Sequence, residues 1–169
     1  MTELQSREYN LVIASRFENI ELVQVVIDDA LRQVAANDDQ RHWIGLALRE
    51  ALANAIKHGN RQDASRQVEV SATVSPVQVK IRVIDQGEGF DPDRIRDPLA
   101  PENRFRADGR GIFYMRRLMD AVEFGADAGG GTVVELVKHL AAPAADTASG
   151  SGAVPKSDTS NSSPQEGRS

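Results

Sequence analysis

The sequence predicts a two-layer α/β sandwich of the α+β type, with helices on one face of a mixed, largely antiparallel sheet. Three observations indicate this class. Two segments of helical periodicity follow an initial strand, a tightly joined pair of alternating segments comes next, and a third helix with two strands completes the pattern. Elements that are apolar on one side bury that side most simply in two layers.

The first half of the folded region contains one strand and two helices. An alternating stretch at 10–14 predicts the strand, and apolar residues at helical spacing over 20–34 predict a core-facing helix. Asn37 and Asp38 offer side-chain oxygens for the N-cap of a second helix over about 39–57. The two helices are therefore predicted to be consecutive.

The second half contains a hairpin and the closing elements. Residues 68–74 and 77–84 alternate with period two across a short join, which predicts an antiparallel hairpin. A helix over about 111–119 and strands over 121–124 and 132–139 are expected to complete the two layers.

Length and composition indicate a single globular unit. A chain of 169 residues can bury one substantial core, and we expect this domain to span 1–140. Residues 141–169 are rich in Ala, Pro, Ser, Gly, Thr and Asp. We predict a disordered tail there, because so little apolar surface cannot offset the entropy of ordering the chain.

Charge and cysteine content exclude several functions. A formal charge of −5 disfavours direct binding to nucleic acid, and the absence of cysteine excludes disulfides, thiolate zinc sites and cysteine nucleophiles. No apolar run reaches the roughly eighteen residues of a membrane helix, and the N-terminus lacks a signal-peptide pattern. We therefore expect a cytoplasmic protein without a membrane segment.

The second predicted helix carries polar residues on the face opposite its apolar side. Glu50, Asn54 and His58 share this face. The Asn54 amide oxygen suits Mg²⁺, which leaves Glu50 free to act as a general base near a γ-phosphate. A solvated helix face remains an alternative, as does a zinc hydrolase, although that face lacks a second clear histidine.

A glycine-rich turn, DQGEGF, follows the strand that ends at Ile84. The Asp85 carboxylate could accept a hydrogen bond from an exocyclic amine, which would select adenine over guanine. Gly87 and Gly89 permit positive φ and the close approach of a flat ring. An acidic β-turn or a fragment of a calcium loop would produce a similar pattern.

A second glycine pair, GRGI, is expected to open the third helix. Gly109 and Gly111 would precede a helix that begins at Ile112, so that its backbone N–H groups could hold phosphate oxygens. Three arginines surround this point and could bridge phosphates: Arg104, Arg106 and Arg110. A simple helix-entry turn is the alternative.

Thr132, after three glycines, could reach the base side of the pocket or merely end a hairpin turn.

In this order, the segments resemble the GHKL ATPase superfamily, which shares the Bergerat nucleotide-binding fold. The resemblance covers nearly all of 10–140 and is strongest for the small bacterial anti-sigma factors that are also serine/threonine kinases. It rests on the run 50–60, on 85–90, on Gly109-Arg110-Gly111 and on the closing GTVVELVK.

The resemblance implies roles for individual residues. Glu50 would be the catalytic base, Asn54 the Mg²⁺ ligand and Asp85 the adenine contact. Gly87 and Gly89 would form the pocket floor. The residues implied or expected to bind ATP are Asn54, Asp85, Gly87, Gly89, Arg106, Gly109, Arg110, Gly111, Ile112 and Thr132.

The resemblance also implies a lid over bound ATP, here 91–108, whose polar composition suits a loop that orders over nucleotide. Ala107 departs from the family pattern, because a lid arginine is expected two residues before Gly109. Arg106 or Arg110 could substitute for that arginine in contacting the γ-phosphate.

Three functions follow from the motifs and the resemblance. The first is an anti-sigma factor that binds a sigma factor, phosphorylates a serine of its antagonist protein and forms a homodimer. The second is a kinase-inactive ATP/ADP-binding module that acts by exchanging partners, an alternative that Ala107 favours. The third, the ATP-binding half of a sensor histidine kinase, lacks a preceding helical phosphoacceptor module in this sequence.

Overall fold

The computed structural model describes residues 5–89 and 107–140. In these segments the strands are β1 (Arg7–Ala14), β2 (Gln67–Val74), β3 (Gln78–Ile84), β4 (Ala121–Ala126) and β5 (Thr132–His139). The α-helices are α1 (Ile20–Gln33), α2 (Asp38–Asn54) and α3 (Ala107–Leu118). A 3-10 turn, Phe17–Asn19, precedes α1, and a π-helical turn, Ala55–Gly59, extends α2.

The strands form one sheet in the order β1-β2-β3-β5-β4, and the predicted two-layer sandwich is confirmed. The sheet differs in one respect from the mixed sheet expected, because every neighbouring pair among the described strands is antiparallel. β3 and β4 run in the same direction, but β5 lies between them, so these two strands never pair.

The core lies between one face of the sheet and the helices. Alternate residues of β2 and β3 are buried, and α2 contributes a stripe at helical spacing. The largest fully buried side chains of the core include Ile27, Leu31, Ile44, Leu48, Leu52, Ile56, Ile81, Met115 and Leu136. Truncation of one such leucine to alanine would cost about 2–5 kcal/mol.

Local interactions fix the start of α2 and its packing on α1. The Asn37 side chain accepts a hydrogen bond from the Gln40 N–H, and the Gln40 side chain accepts one from Asn37, which confirms the predicted cap. Asp28 on α1 accepts hydrogen bonds from Arg32 and from Arg41 of α2. The hydrogen bond from Arg32 is the main cause that lowers the pKa of Asp28.

Two helix boundaries differ from those predicted. α2 ends at Asn54 and is followed by the π-helical turn Ala55–Gly59, whereas the sequence predicted one continuous helix to about residue 57. α3 begins at Ala107, four residues before the predicted start.

The predicted tail at 141–169 and most of the predicted lid lie outside the described residues, as do Arg104 and Arg106. Within the described segments, no helix combines the length and apolarity needed to cross a membrane.

Candidate functional site

The Asp85 carboxylate lies at the end of β3 and is held in one orientation by the backbone. Its Oδ1 accepts hydrogen bonds from the N–H of Gly87 at 2.9 Å and from the N–H of Thr132 at 3.0 Å. The Asp85 N–H in turn donates to the Thr132 carbonyl oxygen. Because both backbone donors use Oδ1, the lone pairs of Oδ2 stay available for a further donor.

Two glycines leave room for this carboxylate. A Cβ on Gly59 would overlap Asp85 Oδ2, and a Cβ on Gly131 would overlap the Asp85 carbonyl oxygen. The end of α2, the end of β3 and the start of β5 therefore meet around one carboxyl group. Only residues without a side chain allow this approach.

Asn60, which had no role in the sequence-based prediction, ties the end of α2 to the start of β2 and to the residues after β3. It is fully buried, its side-chain amide donates to the Gln67 carbonyl oxygen at 2.8 Å, and its side-chain oxygen accepts from the Gln86 N–H at 2.7 Å. Its own N–H donates to the Ala55 carbonyl oxygen and so closes the π-helical turn. A buried asparagine is not distinguishable in sequence from an exposed one, so only its position after Gly59 hinted at this function.

Glu50 and Asn54 lie together against α3. Both side chains are half-buried. A Cβ on Gly111 would be 2.6 Å from Glu50 Oε2 and 3.8 Å from Asn54 Nδ2. The polar face of α2 is thus in contact with the GRGI segment of α3. The Glu50 carboxylate and the Asn54 carboxamide, one turn apart, are both partly covered by this contact.

The structure corrects the predicted role of the second glycine pair. Gly109 and Gly111 do not form a turn before a helix, because α3 begins at Ala107 and contains both. Glycine inside a helix costs about 0.5–1 kcal/mol relative to alanine. At Gly111 the absence of a side chain leaves room for the close approach of Glu50.

The other predicted site residues differ in their surroundings, from exposed to packed against the core. Arg110 is exposed, and Ile112 packs against the hydrophobic core, so its side chain is structural. Gly89 has a φ of +88°, as predicted for the glycine turn, and packs near the Gly130 carbonyl oxygen. Gly87 lacks a positive φ. Its constraint is steric, because a Cβ there would be 2.5 Å from the Gly59 carbonyl oxygen.

The polar groups of this site fit a purine nucleotide and a magnesium ion. Asp85 presents a fixed acceptor with one free oxygen, which suits an exocyclic amine. Asn54 offers a neutral hard oxygen, and Mg²⁺ usually takes its other ligands from phosphates and water. The described residues include no cluster of three His, Asp or Glu side chains such as zinc enzymes use, and His58 is exposed.

Comparison with known families agrees with this geometry. Residues 13–138 match the family model described as the histidine kinase-like ATPase domain. The chain belongs to this family. The match begins in β1 and ends in β5, so this ATPase domain includes every element that forms the site.

Curated relatives place the domain more narrowly. An anti-sigma F factor from Geobacillus kaustophilus is 30% identical over 136 residues, which cover 79% of this chain and 93% of the relative. An anti-sigma F factor from Clostridium beijerinckii is 30% identical over 143 residues, or 81% of this chain and 97% of the relative. The domain is thus a member of the anti-sigma kinase group within the GHKL superfamily, and the predicted resemblance is confirmed.

A solved structure has the same fold. The RsbU and RsbW domains of a Mycobacterium tuberculosis protein match with a TM-score of 0.59 at 19% identity, over 81% of this chain. The chain spans 33% of the length of that protein, so the likeness concerns one part of it.

Proposed function

We propose that this protein is an ATP-binding anti-sigma regulatory factor with serine-protein kinase activity. It binds a sigma factor of RNA polymerase and, with ATP and Mg²⁺, phosphorylates a serine on the antagonist of that anti-sigma activity. The observation that carries the proposal is a pair of contacts along α2 and the turn that follows it. The Glu–Asn pair of α2 lies against α3, and the turn lies against the fixed Asp85 acceptor between β3 and β5.

Asp85 selects the base. Its Oδ1 is occupied by two backbone donors, so Oδ2 accepts the hydrogen bond from the amino group of adenine. Guanine presents a carbonyl oxygen at the equivalent position and would leave this carboxylate facing another acceptor, which is unfavourable. Thr132 contributes through its N–H, which orients Asp85, and its side chain is half-buried at the same junction.

Glu50 accepts the proton of the attacking serine hydroxyl. Asn54, one turn further along α2, holds the Mg²⁺ ion through its amide oxygen. That ion, when bound, neutralises charge on the β- and γ-phosphates of ATP. Gly111 positions Glu50, because its backbone lies directly against Oε2. Ala107 stands where the family pattern has a lid arginine. Arg110 and Arg106 are proposed to contact the phosphate oxygens in its place.

Partner binding uses the β1–α1 edge. Leu22 and Val25 on α1 are each 63% exposed, and Val12 on β1 is 59% exposed. β1 is an edge strand of the sheet among the described strands, and exposed apolar groups near such an edge suit contact with another protein. We propose that a second copy of the chain and the sigma factor use this edge, in a cytoplasmic homodimer.

A second candidate is a kinase-inactive module that reports ATP or ADP to its partners. Ala107 favours it, because the chain lacks the arginine expected in the lid. The two candidates share nucleotide binding and differ only in phosphoryl transfer.

Transfer of labelled γ-phosphate to purified antagonist-domain proteins of the same genome distinguishes them. Glu50→Gln keeps the shape of the side chain and removes the base, so we expect transfer to fall about 10²-fold or more while ATP binding is kept. Glu69→Gln, an exposed position on β2, serves as the matched control and should transfer at the wild-type rate. Nucleotide binding without transfer to any partner would favour the inactive module.

A further inference from the structure

The solvent-facing sides of α2 and α3 carry neighbouring stripes of exposed residues. Leu46 and Arg49 lie on α2, and Arg110, Tyr114 and Arg117 lie on α3 at i, i+4 and i+7. Leu46 is 38% exposed and Tyr114 is 50% exposed. Because α2 and α3 pack side by side, the stripes form one surface, with axes about 8–10 Å apart. These five residues are called the α2–α3 face.

The arginines of this face are available for contact with a partner. Arg49, Arg110 and Arg117 form no ion pair with any residue in the part of the chain that the structure describes. Among the other described arginines, five are paired with carboxylates, namely Arg32, Arg41, Arg61, Arg66 and Arg82. Arg16 and Arg116 are exposed and, like the arginines of this face, form no ion pair within the described residues. In a protein with a formal charge of −5, a surface whose arginines form no ion pair within the described residues is complementary to an acidic partner. Arg49 and Arg117 supply this charge, because Arg110 is proposed to contact ATP.

The face borders the proposed catalytic carboxylate. Arg49 directly precedes Glu50, and Arg110 directly precedes Gly111, whose backbone lies on the Glu50 side chain. A protein seated on the face is therefore adjacent to Glu50. Leu46 and Tyr114 supply apolar contact area of the kind found at the centre of interfaces, and the arginines supply its charged margin.

We propose that the α2–α3 face docks the phosphoacceptor protein through an acidic surface next to its target serine. This inference rests on the proposed kinase function and names the chemistry of the substrate. Charge attraction speeds encounter with the acidic partner, and Tyr114 and Leu46 hold the complex in the register that brings the serine to Glu50.

The test compares transfer kinetics of the full chain and of the double variant Arg49→Glu/Arg117→Glu. The substrate is the antagonist-domain protein that the wild type phosphorylates. We expect kcat/KM for this protein to fall about tenfold or more through KM, with kcat at saturation and the Kd for ATP within about twofold of wild type. Added salt should slow the wild type and have little effect on the double variant.

Arg116→Glu provides the matched control, because Arg116 is also exposed and without an ion pair among the described residues but lies about 100° around α3 from Arg117, outside the α2–α3 face. Its kcat/KM should stay near wild type. An equal loss in Arg116→Glu, an unchanged kcat/KM in the double variant, or loss of sigma-factor binding alone would overturn the proposal. If the wild type transfers phosphate to no protein, the proposed function itself fails, and that result is distinct from a failure of docking.

Discussion

Replacing Gly111 with alanine would place a methyl group against the Glu50 carboxylate. The new Cβ would be 2.6 Å from Oε2, where ordinary contact begins at 3.4 Å, so the carboxylate must retreat by about 0.8 Å. Glu50 is a long side chain with rotamer freedom, and it can move without displacing the backbone. The variant therefore separates the position of Glu50 from the stability of the fold.

The substitution should raise the stability of the fold and lower the rate of phosphate transfer. Alanine in a helix interior is favoured over glycine by about 0.5–1 kcal/mol, so Gly111→Ala should be between neutral and about 1 kcal/mol more stable. A displacement near 1 Å at a catalytic group can cost about 10²-fold in rate. We expect γ-phosphate transfer to decrease by one to two orders of magnitude, or about 1.4–2.7 kcal/mol in activation free energy.

Urea unfolding and the transfer assay measure the two effects on the same preparation. Gly45→Ala is the matched control, since Gly45 is also inside a helix and a Cβ there meets no atom within 4 Å. It should gain similar stability and keep full activity. Phosphate transfer by Gly111→Ala at the wild-type rate, or a loss of more than about 1 kcal/mol of stability, would contradict the proposed contact between Gly111 and Glu50.

Three further predictions concern stability. Gly131→Ala should destabilise by about 1–3 kcal/mol or more in urea, because its Cβ would overlap a backbone oxygen, whereas Gly125→Ala on β4 meets no atom within 4 Å and should be nearly neutral. Ser15→Ala should be neutral or stabilising by up to about 1 kcal/mol, since Ser15 Oγ is buried without a hydrogen-bond partner among the described residues; a clear loss would indicate an ordered partner. The His139 backbone N–H holds the pKa of Asp120 below its usual 3.8, so this carboxylate stabilises the fold above that value and loses the effect as pH falls through the folded pKa. Asp120→Asn should therefore be less stable than wild type at about pH 7, with the difference shrinking as pH falls below 3.8 and through the folded pKa. A difference independent of pH would contradict this.

The predictable part of the fold was the part governed by periodicity. The buried stripe of α2 and the alternation of β2 and β3 require particular spacings of apolar residues, and the Asn37 cap has a specific local chemistry. Each of these signals is contained in a few adjacent residues. The sequence therefore sufficed for the sandwich and for most element positions.

The parts that sequence missed depend on contacts between distant segments. The π-helical turn after Asn54 is closed by the buried Asn60, which also binds the ends of β2 and β3. Gly109 and Gly111 were expected in a turn because glycine usually marks turns. Here Gly111 lies inside α3, where the close approach of Glu50 excludes a side chain, and only the packed structure reveals that reason.

The central claim is that Asp85 selects adenine, and Asp85→Asn tests it most directly. The asparagine oxygen can still accept from the N–H groups of Gly87 and Thr132, so the fold is kept, but an amide N–H₂ replaces the free acceptor Oδ2. Calorimetric titration should show ATP bound by the wild type, with GTP bound at least about tenfold more weakly, and ATP affinity reduced about 10²-fold in the variant. Equal affinity of wild type and Asp85→Asn for ATP, or equal affinity of the wild type for ATP and GTP, would contradict the account.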